Sequence, residues 1–173
     1  DGNFLQKWGE PGLGNGQLRS PSGMVFDADD NLYITEELNH RVSKFTKDGQ
    51  FLFSWGREGT EAGEFRRPWG ITLDRTGDVY VADWHNARIQ KFSPDGQHIR
   101  GFGEGMDKDQ GLGMPSDVAI DEEGDVYAVD WGNNRVQIYS PDGEYMTTFI
   151  GDAERLSKWA QSAVDANPDY IKA

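Results

Sequence analysis

Residues 68–103 read PWGITLDRTGDVYVADWHNARIQKFSPDGQHIRGFG. Four short runs suited to strands lie in them: 71–74, 78–83, 88–93 and 98–102. Arg75-Thr76-Gly77 turns the chain between the first two, and Pro94-Asp95-Gly96 between the last two. Asp-Gly between two apolar runs is a strong hairpin signal, because glycine accepts the positive φ of such turns. Alternation is incomplete, with Ile71, Leu73, Val79 and Val81 regular but Tyr80 and Ala82 not freely exposed types, as in a sheet covered on both faces.

The same pattern recurs along the chain. Asp-Gly falls at Asp1-Gly2, Asp48-Gly49, Asp95-Gly96 and Asp142-Gly143, each 47 residues after the last. Pro21, Pro68 and Pro115 keep the step, as do Tyr33, Tyr80 and Tyr127. The units are 21–56, 68–103 and 115–150, without insertion or deletion, preceded by eleven-residue spacers at 10–20, 57–67 and 104–114. Residues 1–9 (DGNFLQKWG) match the end of a unit (48–56, DGQFLFSWG), an orphan outer strand. A gapless four-stranded unit of this period points to a β-propeller blade.

The pattern of Pro-x-Gly, strand, Asp, turn, Val-Tyr-Val-x-Asp, loop with Asn-x-Arg, aromatic, Asp-Gly and a strand ending Trp/Phe-Gly resembles the NHL repeat. The resemblance covers roughly residues 1–150 and implies an all-β propeller segment: three four-stranded blades plus the orphan strand. In that family the first strand of each unit lines the axis, here from near Gly23, Gly70 and Asp117, and rings usually have six blades. Three units cannot close such a ring, so the chain is expected either to pair with a second copy or to be part of a longer propeller. The first unit departs from the pattern with Glu36-Glu37-Leu38 for Asp-Trp. The third has Asp117 for Gly and Ile150 for the closing Gly.

Composition narrows the function. The net charge of −13 speaks against nucleic acid and anionic membrane surfaces; RNA binding, known among eukaryotic NHL proteins, ranks third for that reason. With no cysteine there is no disulfide, thiolate site or thiol nucleophile. Nucleophile elbows, phosphate loops and metalloprotease motifs are missing from the sequence. The localisation is not legible.

Repetition separates scaffold from site. Pro21, Asp27, Tyr33, Asn39, Arg41, Asp48 and Gly49 are identical in all three units and must serve what every blade shares. Asp27, Asp74 and Asp121 are expected to accept backbone N–H groups in a turn, and Asn39, Asn86 and Asn133 to do the same in the loop. Arg41, Arg88 and Arg135 are expected to pair with Glu36, Asp83 and Asp130. Variable positions carry individuality: Trp84, His85 and Trp131 with His40 in the loops, and Arg67 and Trp69 either side of the repeated proline. Exposed Trp beside Arg is the composition of interface anchors. These six residues are the candidate site for a protein or peptide partner on a non-catalytic scaffold.

The alternative is a metal-dependent propeller enzyme, of lyase or hydrolase type, on the central axis. The resemblance brings such a lyase, with metal histidines at inner-strand starts. Here those positions hold Ser22, Trp69 and Ser116, while His40, His85 and His98 share no register, so a three-histidine zinc site is not expected. No cofactor is assigned; the 30 acidic residues leave Ca²⁺ open. Beyond Ile150 the repeat stops. Leu156, Trp159, Ala160, Ala163 and Val164 lie at helical spacing behind Asp152, so 151–173 is expected to be a helical tail or insertion.

Overall fold

The structure, a computed structural model, describes residues 7–150. The expected tail helix, and all but Lys7–Gly9 of the expected orphan strand, lie outside the described residues. Each unit forms one four-stranded antiparallel sheet. After a two-residue parallel pair, β1 (Glu10–Pro11) and β2 (Gln17–Leu18), come β3 (Pro21–Phe26), β4 (Asn31–Glu36), β5 (Arg41–Thr46) and β6 (Phe51–Trp55). The second blade is β7 (Pro68–Leu73), β8 (Val79–Asp83), β9 (Arg88–Phe92) and β10 (His98–Phe102). The third is β11 (Pro115–Ile120), β12 (Val126–Asp130), β13 (Arg135–Tyr139) and β14 (Tyr145–Ile150). Strands pair in chain order within each sheet.

The blades stack face to face with their first strands adjacent, β3 on β7 and β7 on β11. These inner strands start at the repeated prolines, two residues before the expected Gly23, Gly70 and Asp117, and a register shift follows each proline. Glycine at the first two positions has a direct cause. A Cβ on Gly23 would stand 2.5 Å from the Trp69 carbonyl oxygen, and one on Gly70 would stand 2.5 Å from Asp117 Cα. The inner strands of neighbouring blades touch through these glycines, so a side chain there would push two blades apart.

Two buried clusters hold the stack. Tyr33, Val42, Phe65, Ile71, Val79, Val81 and Phe92 join the first blade to the second. Tyr80, Ala82, Ile89, Phe102, Leu112, Val118, Val126, Ala128 and Tyr139 join the second to the third. All five residues of β8 are buried, which is why its alternation is lost in the sequence. The spacers take part as well. Leu18, Phe65 and Leu112, again 47 residues apart, each enter the cluster ahead of the blade that follows.

At the turn between the first two strands of each blade the repeated aspartate accepts backbone N–H groups as expected. Asp74 Oδ1 takes those of Thr76 at 2.9 Å and Asp78 at 3.0 Å. Lys91 Nζ reaches Asp74 at 3.1 Å and Asp78 at 2.9 Å while lying 5.0 Å from the centre of the Tyr80 ring. Burial works against the Asp74 charge, but the Thr76 hydroxyl, the Lys91 ammonium and the Asp78 N–H outweigh it and hold the carboxyl below its ordinary 3.8. Asp27 is lowered likewise, burial being outweighed by Lys44 and Asn31. A carboxyl depressed in the folded state contributes stability above its unfolded pKa, and that contribution is lost as pH falls through the folded value. These two carboxylates are therefore expected to make urea midpoints drop below about pH 4, and Lys91→Met to flatten that acid limb.

Candidate functional site

Asp83, Asn86 and Arg88, side by side in the sequence, form a brace. The fully buried Asp83 carboxylate accepts the Arg66 N–H at 2.7 Å, Asn86 Nδ2 at 2.8 Å, Arg88 Nε at 2.9 Å and Gln90 Nε2 at 3.1 Å. Burial pushes its pKa up, and those donors pull the other way. Arg88 Nη2 also donates to the Glu61 and Glu64 carbonyls, and Asn86 Nδ2 to that of Gly59, tying the spacer to the loop. Glu36 with Asn39 and Arg41, and Asp130 with Asn133 and Arg135, repeat the arrangement. The pairing of arginine with acid is as expected, but the asparagines are corrected. They bond through their amide nitrogens as donors, because each faces a carboxylate and Asn39 and Asn86 face a spacer carbonyl as well.

Each loop between second and third strands is a single 3₁₀ turn: Glu37–Asn39, Trp84–Asn86 and Trp131–Asn133. It closes on a residue in the left-handed region, His40 at φ 51°, Ala87 at φ 55° and Asn134 at φ 52°. The brace fixes the turn, and the turn sets out the variable side chains.

Five of the six candidate residues come together where the loops of the first two blades meet the inner strand of the second. Arg67, itself at φ 57°, donates its N–H to His40 Nδ1 at 3.2 Å, and its Nη1 to Glu37 Oε1 at 3.0 Å. Trp69 stacks on Trp84 with ring centroids 4.5 Å apart, and the His85 ring lies 4.2 Å from that of Trp84. Trp69 and Trp84 are half-buried, correcting the expectation of freely exposed rings, while His85 is exposed. The indole N–H groups of Trp69 and Trp84 are buried without an acceptor among the described residues, so the accessible parts of both rings are carbon. Burial lowers the His85 pKa, and the Arg67 and Arg66 charges lower it further, leaving a neutral imidazole at pH 7 that can donate or accept.

Two openings flank the cluster. Trp69 lines an axial groove of about 540 Å³ with Ser22, Glu37, Ser116 and Asp117. His85 lines a cavity of about 640 Å³ between the second and third loops, with Arg66, Lys108, Leu112 and Asn133. Trp131 is not part of the cluster. It stands 62% exposed beside Val129, Val136 and Ile150, because Ser116 occupies the position from which Trp69 covers Trp84. Glu37, Arg66 and Asp117 join the site without having been singled out for it, although each sits at a position that differs between units. Among the described residues no group of three or more His, Asp or Glu side chains is placed to hold a metal ion.

Three four-stranded sheets stacked about their first strands are blades of a β-propeller. The NHL repeat model matches residues 65–92 and 112–139, so the chain carries NHL repeats in its second and third blades. No curated protein matches it in sequence. The chain is similar in fold to virginiamycin B lyase from Staphylococcus aureus, in a catalytically inactive form with quinupristin, at 18% identity and TM-score 0.60 over 78% of this chain and 42% of that one. It is similar to Kuenenia stuttgartiensis hydrazine synthase at 16% identity and TM-score 0.62, over 87% and 40% of the two chains. A chain of a nidogen/laminin complex matches at 24% identity and TM-score 0.59, over 77% of this chain and 48% of that one. The chain thus spans between 40% and 48% of the length of these three structures.

Proposed function

We propose that the protein is a non-catalytic propeller scaffold that binds a protein or peptide partner through Trp69, Trp84, His85 and the Arg67–His40 contact. The observation that carries this is the break in symmetry: over a brace repeated in every described blade, only the second of the three described loops sets a Trp, stacked on the inner-strand Trp69, beside an exposed histidine. Ring carbon faces outward and a neutral imidazole and a guanidinium lie beside it, which suits an apolar or aromatic side chain held next to a peptide amide.

The competing reading is a metal-dependent lyase or hydrolase with its site on the axis. It would draw on Glu37 and Asp117 in the axial groove. Peptides selected from a random library on the immobilised protein are expected to bind the His85→Ala chain at least about tenfold more weakly, hot-spot residues typically carrying that much. Trp131→Ala should leave them unaffected. Equal binding to wild type and His85→Ala would remove the reading. A stoichiometric bound ion, lost together with a lyase or hydrolase activity, would replace it.

A further inference from the structure

Two of the residues that break the repeat share one groove. At the start of the inner strands the three units read Ser22-Gly23, Trp69-Gly70 and Ser116-Asp117, so only the second brings a tryptophan and only the third an acid. Trp69 and Asp117 line the same axial opening of about 540 Å³. They come close because β7 and β11 are adjacent. The Asp117 carboxylate lies over Gly70, the chain neighbour of Trp69, in the space that a Cβ on Gly70 would take.

The groove holds one uncompensated charge. Glu37, the other acid in its wall, is neutralised by Arg67 Nη1 at 3.0 Å. Asp117 Oδ1 accepts the N–H of Val118 at 2.9 Å, and no Lys, Arg or His among the described residues pairs with this exposed carboxylate. Trp69 has its indole N–H buried and is stacked on Trp84, so ring carbon is what it shows to the groove. An indole beside an unpaired carboxylate suits an organic cation, which the ring quadrupole attracts while the carboxylate accepts its N–H groups. A guanidinium meets both at once, because it lies flat on a ring and presents a fork of N–H groups at its edge; an ammonium is a point charge and does neither as well. The net charge of −13 favours the approach of a cation from a distance.

We propose that this groove is the subsite for an arginine side chain of the bound peptide, with the guanidinium on Trp69 and paired with Asp117. The inference rests on the peptide-binding reading above, because Trp69 is shared: it lines the groove and also backs Trp84, which takes the apolar residue beside His85. With the two rings 4.5 Å apart, the two peptide side chains must be near neighbours. The partner is therefore a peptide with an arginine close in sequence to an apolar or aromatic residue.

The test selects short peptides on the whole chain, each with a fixed phenylalanine, randomised neighbours, and acetylated and amidated ends. The blocked ends leave a side chain as the source of any cation. Selection is expected to enrich arginine near the phenylalanine. Exchanging that arginine for neutral citrulline should weaken binding about fivefold or more, the combined worth of an exposed ion pair and a cation–π contact. Asp117→Gly, which restores the residue of the other two units, and Asp117→Asn, which keeps the shape of the side chain, should bind the arginine and citrulline peptides alike. His85→Ala should weaken both peptides and leave their ratio unchanged. Enrichment of peptides without arginine, or an arginine-to-citrulline ratio equal in wild type and both Asp117 variants, would overturn the proposal and leave the peptide-binding reading in place. No peptide enriched on the wild-type chain would overturn both.

Discussion

Asp83→Ala is expected to destabilise the protein by about 3–5 kcal/mol, the range for breaking a buried ion pair from one side. The loss comes from what is left behind rather than from the pair's own attraction. Arg88 is buried at 3% exposure between blade and spacer, and without the carboxylate its charge has only carbonyls and Glu104 to face. Asn86, Gln90 and the Arg66 N–H lose an acceptor at the same time. Arg88→Met added to Asp83→Ala removes the stranded charge and should recover part of the loss, giving a favourable coupling in a double-mutant cycle. Urea denaturation of the three chains reads this directly. A loss below about 1 kcal/mol for Asp83→Ala would mean that the brace does not hold the loop.

Phe65→Ala carries the second large effect, about 3–5 kcal/mol by the usual cost of emptying a buried phenylalanine site. Phe65 belongs to a spacer, yet it is fully buried, with its ring 5.4 Å from that of Phe92. It fits over Gly56, where a Cβ would stand 2.5 Å from the ring. Its backbone is fixed as well, accepting from Gly59 N at 3.1 Å and donating to Arg57 O at 2.9 Å, so the site cannot collapse around an alanine. Leu18→Ala at the equivalent place should cost clearly less, because Leu18 is only half-buried. Equal losses at the two positions, measured as urea midpoints, would contradict the view that the spacers are plugs between blades.

The blades were legible in the sequence because a 47-residue step without gaps leaves little freedom. Tyr33, Tyr80 and Tyr127, and the Asp-Gly turns, fix strand order before any coordinates. The acid–arginine brace was legible for the same reason. Other features needed geometry. Asparagine shows its donor or acceptor face only against actual neighbours, and here those are the Asp83 carboxylate and the Gly59 carbonyl. The plugs Leu18, Phe65 and Leu112 were visible at the right spacing, but they are similar rather than identical and so fell outside a comparison of invariant positions. Trp84 and Trp131 look equivalent in the alignment, yet only Trp84 has a tryptophan fifteen residues before it to stack on. Asp117 in place of glycine was evident; that this position faces the next blade was not.

The central claim is that residues repeated in every blade hold the fold, while those that break the repeat make the site. Asn86 and His85 are chain neighbours on opposite sides of that division. Asn86→Ala should lower stability by about 1–3 kcal/mol, leaving buried acceptors without a donor, and His85→Ala should stay within about 0.5 kcal/mol of wild type while losing the selected peptides. Urea melts and peptide titrations on these two chains decide it. A stable Asn86→Ala chain, or a His85→Ala chain that unfolds early and still binds, would contradict the account.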